Sequence, residues 1–531
     1  MLDILTKKYN YNYLILNPIF YVFVLGFIIR LYACQYTFII NSDGALYIHQ
    51  AKAVYYGQWE NLISCGVTYL SNYPFFIVGA YTVFHEWIMA AKAVSFFFGF
   101  AVLFPLYFLS KLFFDKKISM LITLMFAMTP VLVSISSDAL RESVYCFFLI
   151  LGLYLFAKQM NKTKPLFLFM SNLSFLMAAW ARIEASLVII VSCFYILVTA
   201  QEKKLEKFIV FVAPIIIIII FSLSGTIIFK DISVNDLHRV DEISAKFSAP
   251  VVQYQNIRHI LQELENDYPD ETMKNFFSKA RNCVWLIALG TLVNKYLESF
   301  FYPLSLIVII GFVGIQEKIR SDSRIFYFLL LTLSGLILLY IHILHVWISE
   351  YRFFSIVIFP CSVFAGFGLQ KIISYLQYKW NLTDSAAILT CCILILIFAL
   401  PKDLRFKETD KAVFKEIGEF ISRREGNEHE IIIATSRQTQ RWISLYANLN
   451  YKGSPCPERF EKCWELWAND YENFIQQMKQ EGVTYFLWDQ KYWSREKFDI
   501  KYIEKYKNLK QLGKWYHQNT GTIILFELVS S

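Results

Sequence analysis

The side chains able to do chemistry in this chain are carboxylates and arginines held in four short polar stretches between apolar runs. The first is "NSDGALYIHQAKAVYYGQW", Asn41 to Trp59, with Asp43 near its start. The second, "SSDALRES", carries Asp138, Arg141 and Glu142. The third, "WARIEAS", carries Arg182 and Glu184, and the fourth, "SEYRFF", carries Glu350 and Arg352. A carboxylate can take the proton of an attacking hydroxyl. A guanidinium presents a planar fork that grips a phosphate through two hydrogen bonds. Acids and arginines gathered on one side of a membrane suit a substrate that is lipid-borne and phosphorylated.

Each stretch also suits a structural duty. On a helix starting near residue 43, Asp43, Tyr47, Gln50 and Val54 share one face, and Asp43 is placed to cap that helix. Asp138, Arg141 and Glu142, at i, i+3 and i+4, predict one helical turn with an internal ion pair, which is worth little at a surface. Arg182 and Glu184 predict a pair closing a tight hairpin. Ionisable groups so near hydrocarbon are costly, however, and are functional candidates by default. His342 and His345 make a divalent metal conceivable, but no clear third ligand accompanies them.

The elements that must position these groups are membrane helices. The chain has 531 residues, 56% of them apolar and only 18% charged, with a mean hydropathy of +0.42. Runs such as "FIVFVAPIIIIIIFSLSGTIIF" are long enough to cross a hydrocarbon core. About eleven spans are expected, near 14–40, 87–114, 117–136, 139–158, 165–181, 183–200, 208–229, 298–316, 325–345, 353–375 and 385–400. The first is too long for a cleavable signal and reads as a retained span. Lys7, Lys8, Lys111, Lys116, Lys117, Lys158, Lys162, Lys164, Lys203, Lys204, Lys207, Lys318, Arg320 and Arg324 fall on one side if the spans alternate. By the positive-inside rule that side is the cytoplasm. The four polar stretches then face outward, as do loops 41–86 and 230–297. The net charge of +8 is accounted for by these basic loops and calls for no nucleic-acid partner.

Residues 401–531 are more polar and read as a separate extracytoplasmic α/β domain following a transmembrane domain of residues 1–400. "DKAVFKEIGEFISRR" and "NDYENFIQQMKQEG" have helical character, while "EIIIATS", "VTYFLWD" and "TGTIILFEL" read as strands. Most cysteines sit in or beside apolar runs as packing residues. Cys456 and Cys463 lie in the polar segment "SPCPERFEKC" and are placed for a local disulfide in an oxidising compartment.

Taken in order, these motifs resemble the GT-C superfamily of membrane glycosyltransferases, in particular the branch of the protein O-mannosyltransferases and the bacterial aminoarabinose (lipid A) transferases. The ordered set is "FIIRLY" with Arg30, the Asp43 motif, "AKAVYYGQW", "NYPFFIVGA" with Pro74, "SSDALRES", the "ARIE" hairpin and "YRFFSIVIFP". The resemblance covers about residues 20–400. It implies a bacterial inner-membrane, multi-pass enzyme that moves a sugar, with inversion, from a polyprenyl-phosphate-linked donor. The acceptor would be an extracytoplasmic glycan, lipid or protein. Of the catalytic residues, Asp43 would be the general base or orienting group for the acceptor hydroxyl, and Asp138 a second acid that places the acceptor or tunes Asp43. Tyr47, Tyr73, Arg141, Glu142, Arg182, Glu184, Glu350 and Arg352 would bind the substrates. The chain departs from many relatives in having Gly44 where they have Glu, and Asn72 and Tyr73 where they have a Lys before the Pro. A transporter or flippase of lipid-linked glycans is the rival reading. It fits less well, because no internal repeat and no mid-membrane charge cluster is apparent. An inactive scaffold of the same fold is a third reading.

Overall fold

A computed structural model of the chain describes residues 17–67, 69–161, 164–199, 203–228, 238–459, 471–491 and 508–529. Lys7, Lys8, Lys162 and Cys463 lie outside the described residues. The chain is a polytopic helical membrane protein with a small C-terminal sheet. Among the described residues five helices are long and apolar enough to cross a membrane: Pro18–Gln35, Trp87–Ser110, Glu142–Met160, Ser323–Val346 and Asp384–Asp403. Three further pairs bend at short breaks: Lys116–Ala127 with Pro130–Ser137 (57°), Glu271–Phe300 with Tyr302–Phe312 (107°), and Tyr351–Ile358 with Ser362–Trp380 (76°). The count is thus five to eight, against the eleven suggested by hydropathy. Part of the difference lies in Pro165–Ala181 and Ile183–Thr199, apolar helices of 17 residues or fewer. The 230–297 region contains two helices of 30 residues, His238–Asp267 and Glu271–Phe300.

The chain divides into two compact units. The first comprises Met1–Tyr32, Phe97–Ser136 and Arg141–Leu404. Its bend at residues 127–130 has an evident cause. The helix Lys116–Ala127 stops before Pro130, which opens the next helix, and its last carbonyls have no N–H of a following helical turn to accept from. Arg30, fully buried in the helix Pro18–Gln35, donates to the Ala127 carbonyl at 3.0 Å. The same guanidinium donates to the carbonyls of Gly26 and Gly99 and to the Ser136 hydroxyl. A charge that would be costly in hydrocarbon is therefore spread over four acceptors, three of them backbone.

The second unit comprises Ala33–Phe96, Ser137–Leu140 and Arg405–Ser531. It contains a four-stranded sheet of β1 (Ile433–Ala434), β2 (Tyr485–Asp489), β3 (Leu509–His517) and β4 (Gly521–Leu528), in the order β1-β2-β4-β3. β1 and β2 are parallel, and the other neighbours are antiparallel. Apolar residues alternate between two cores: Tyr485, Leu487, Ile523 and Leu525 enter one, and Phe486, Trp488, Ile524 and Phe526 enter the other. Helices Ala412–Glu425 and Arg437–Ala447 supply the first core, and Tyr471–Gln480 the second. Burial on both faces explains the unbroken apolar runs of β2 and β4. Ile39, from the segment after the first helix, also lies in the first core.

The sequence left open whether Cys456 bonds Cys463, and the structure gives Cys456 another partner. Cys456 pairs instead with Cys65, 391 residues away, with the two Cα atoms 5.6 Å apart. Short sequence spacing was a poor guide, because the fold brings the loop after the first polar helix against residues 454–458.

Candidate active site

The second unit holds Asp43 and Asp138. The polar stretch after the first span folds as a helix, Ser42–Tyr56, but its cap is Asn41 and not Asp43. The Asn41 side chain accepts from the Asp43 N–H at 3.0 Å. This leaves the Asp43 carboxylate, in the first turn, available for another partner. That partner is Arg441 of the helix Arg437–Ala447, whose Nη1 donates to Asp43 Oδ1 at 2.8 Å. Asp43 stays 29% exposed in this pair, so its carboxylate is reachable. Tyr47 and Gln50 face inward, as their spacing suggests. Gln50 donates to the Leu62 and Tyr69 carbonyls, and Tyr47 meets Tyr73 edge to face at 5.4 Å. Tyr73 is fully buried, its hydroxyl hydrogen-bonded to the Ala91 carbonyl and to Ser95. Ser95 in turn bonds both the N–H and the carbonyl of Leu140. Tyr73 thus supports the segment carrying Asp138 through Ser95.

Asp138 does not share a helical turn with Arg141 and Glu142. Residues 138–141 form a non-helical link, and the next helix begins at Glu142. Asp138 Oδ1 accepts from the N–H groups of Asn41 and Ala139, both at 2.7 Å. The Asp138 turn is therefore hydrogen-bonded directly to the start of the Asp43 helix. Gly44 completes the junction: a Cβ there would lie 2.8 Å from the Ala139 Cβ and 3.0 Å from its carbonyl oxygen. The glycine at this position is what permits the close approach, and any side chain there would overpack it.

Burial pushes the Asp138 carboxyl up to about 6, against the opposing pull of the two N–H groups and the Lys92 ammonium, while Glu408 adds to the rise. The folded chain thus holds this proton more tightly than the unfolded chain. The associated stability is fully present below about pH 4 and is lost as pH rises through about 6. The loss is about 3 kcal/mol. Asp138→Asn is a clean comparison, because one amide oxygen can accept both N–H bonds and the amide does not ionise. Unfolding midpoints of the purified protein between pH 4 and 7 should shift in favour of the Asn variant as pH rises. Parallel curves would show that Asp138 does not titrate in this window.

The first unit holds a second cluster, centred on Glu142. Arg182 Nη1 donates to Glu142 Oε1 at 2.9 Å, and Arg352 Nη1 lies 3.6 Å from the same oxygen. Arg182 also pairs with Glu184 at 3.0 Å, and Arg352 with Glu350 at 2.6 Å. The hairpin pair expected at Arg182 and Glu184 is therefore present, but it is part of a larger array. Glu142 and both arginines are buried, whereas the Glu350 side chain is 47% exposed. Two buried guanidiniums share one buried carboxylate, and their other partners, Glu184 and Glu350, are the more exposed members of the array, so an anion reaching the guanidiniums would compete with those two carboxylates. Phe353 lies against Arg182, with the guanidinium carbon 4.6 Å from the ring centre. Arg182, Glu184, His342 and His345 line a cavity of about 90 Å³. Arg141 is half-buried beside this cluster in sequence. Among the described residues no group of three or more His, Cys, Asp or Glu could share a metal ion.

A broken-helix membrane body with a C-terminal sheet is a fold that solved membrane proteins share with this chain. Two solved proteins carry the likeness. One is the oligosaccharyltransferase AglB from Archaeoglobus fulgidus, in complex with an inhibitory peptide and a dolichol-phosphate. It superposes with a TM-score of 0.55 at 12% identity, over 97% of this chain and 74% of that one. The other is ArnT from Cupriavidus metallidurans, bound to undecaprenyl phosphate, with a TM-score of 0.58 at 9% identity over 96% and 98%. No family model and no curated protein sequence matches the chain.

Sequence reasoning missed Arg441, Glu458 and Cys65. Arg441 sits on a helix of high amphipathic contrast, "RQTQRWISLYA", and that pattern was the available signal.

Proposed function

We propose that this chain is an integral membrane glycosyltransferase that transfers a sugar from a polyprenyl-phosphate-linked donor to an acceptor on the extracytoplasmic face. The observation that carries this reading is the buried Arg182–Glu142–Arg352 array in a fold whose solved neighbours were captured with dolichol-phosphate and undecaprenyl phosphate. In this reading the acceptor hydroxyl attacks the anomeric carbon and gives its proton to Asp43. The bond from that carbon to the phosphate oxygen breaks, and the leaving phosphate keeps the electron pair. Arg182 and Arg352 stabilise the charge that develops on it. Asp138 fixes the turn that packs on the start of the Asp43 helix. The outward placement rests on the basic loops and on the Cys65–Cys456 disulfide, a bond that persists in oxidising compartments. The peptide bound to AglB supports a protein among the acceptors.

Mass spectrometry of envelope glycans, lipids and glycoproteins from cells with and without the chain tests the proposal. Loss of one sugar from one acceptor, with accumulation of its lipid-linked donor, is the expected result. Unchanged glycans would overturn it. Retention of the lipid-linked sugar on the cytoplasmic leaflet would instead indicate translocation.

A further inference from the structure

The ion pair between Asp43 and Arg441 joins residues 398 positions apart, and its surroundings look built to hold it. Arg441 lies on the helix Arg437–Ala447, which supplies one core of the sheet. Its neighbour Trp442 stacks on Phe414 and donates its indole N–H to the Ile40 carbonyl at 2.8 Å. The helix therefore grips the turn that leads into Asp43 at two consecutive side chains. The other side of the guanidinium is also occupied, since Nε donates to Glu458, whose side chain is only 8% exposed. One arginine thus spans two carboxylates.

Glu458 is itself braced. Cys456, two residues earlier, is bonded to Cys65. The Ser454 N–H and hydroxyl both donate to the Gln58 side chain at 2.8 Å. The Asn61 amide donates to the Ser454 hydroxyl at 2.9 Å, and the His49 ring bonds the Pro455 carbonyl at 3.0 Å. Gln58, Asn61 and Cys65 belong to the loop after the Asp43 helix, and His49 lies within that helix. The chain of contacts closes on itself: Asp43 helix, disulfide-tied loop, Glu458, Arg441, Asp43.

We propose that Arg441 is the positioning residue for Asp43, and that the 454–458 segment, fastened by the Cys65–Cys456 bond, holds Arg441 in place. This rests on the reading of Asp43 as the base. A carboxylate in the first turn of a helix can rotate about two side-chain bonds. Fixing it in one orientation removes misaligned states that would otherwise dilute the reactive one. The partly exposed Asp43 side of this arrangement contributes little to stability, whereas removing Arg441 alone also strands the buried Glu458 carboxylate, so the two effects are separated by neutralising Glu458 as well.

The test uses the purified full-length chain added to membranes from cells that lack it, because such membranes hold both its donor and its unmodified acceptor. The initial rate of acceptor modification is read by mass spectrometry. Arg441→Gln should lower the rate at least tenfold, and Arg441→Gln combined with Glu458→Gln, which leaves no buried carboxylate unpaired, should keep that loss with an unfolding midpoint close to that of Glu458→Gln alone. Arg441→Lys should recover part of the loss, because its ammonium can reach Asp43 but cannot span to Glu458. Glu458→Gln, and Cys65→Ser combined with Cys456→Ser, should each give a smaller loss. A wild-type rate in Arg441→Gln while Asp43→Asn is inactive would overturn the positioning role alone. Equal losses in Arg441→Lys and Arg441→Gln would also overturn it. A wild-type rate in Asp43→Asn would remove the base, and this inference with it.

Discussion

Asp43→Asn is expected to abolish sugar transfer and to leave the fold intact. Asparagine has nearly the same shape and keeps an oxygen that can accept from Arg441, so the pair at the head of the helix is retained in neutral form. It cannot take a proton from an acceptor hydroxyl. Loss of a general base lowers rates by about 10²–10⁴-fold. The measurement is the initial rate in membranes carrying donor and acceptor, beside the unfolding midpoint of the purified variant. A rate within a few-fold of wild type would sink the assignment of Asp43 as the base. An inactive variant whose midpoint had also collapsed would show that Asp43 is structural.

The second large effect is expected at Arg182. Arg182→Met removes the closest partner of Glu142, whose side chain is 2% exposed. Arg352, at 3.6 Å, compensates only in part. Breaking a buried ion pair from one side costs about 3–5 kcal/mol, because a charge is left without its partner. Arg182→Met should therefore lower the unfolding midpoint sharply and also stop transfer. Adding Glu142→Gln removes the stranded charge and should restore most of the stability. It should not restore transfer, because the guanidinium proposed to face the leaving phosphate is still missing. Recovery of activity together with stability would mean that the array is structural and that the phosphate is held elsewhere.

Much of the architecture was legible because it is written locally. Apolar run length reports membrane helices, since the hydrocarbon core sets a minimum length. Strands β2 and β4 were visible as short apolar runs, and helices Ala412–Glu425 and Tyr471–Gln480 by their periodicity. β3 was missed: "LKQLGKWYH" has little apolar content and much of it is exposed. Spacing misled at Asp138, where i, i+3, i+4 suggested a helical turn. Nothing in "SSDALRES" announces that the helix begins only at Glu142. The hydrogen bonds from Asn41 and Ala139 to the Asp138 carboxylate hold that link in a non-helical form.

The sequence by itself determined the class of the molecule, the order of its acidic and arginine-bearing turns, and the residues able to accept a proton or grip a phosphate. These follow from residue type and short-range pattern. Only the tertiary structure decided what each of them touches. It gave Glu142 to two arginines from separate hairpins, paired Cys65 with Cys456, and set Arg441 beside Asp43. The physical reason is distance along the chain. A hydrogen bond or disulfide depends on a few ångströms in space, and residues nearly 400 positions apart carry no local pattern that records their meeting.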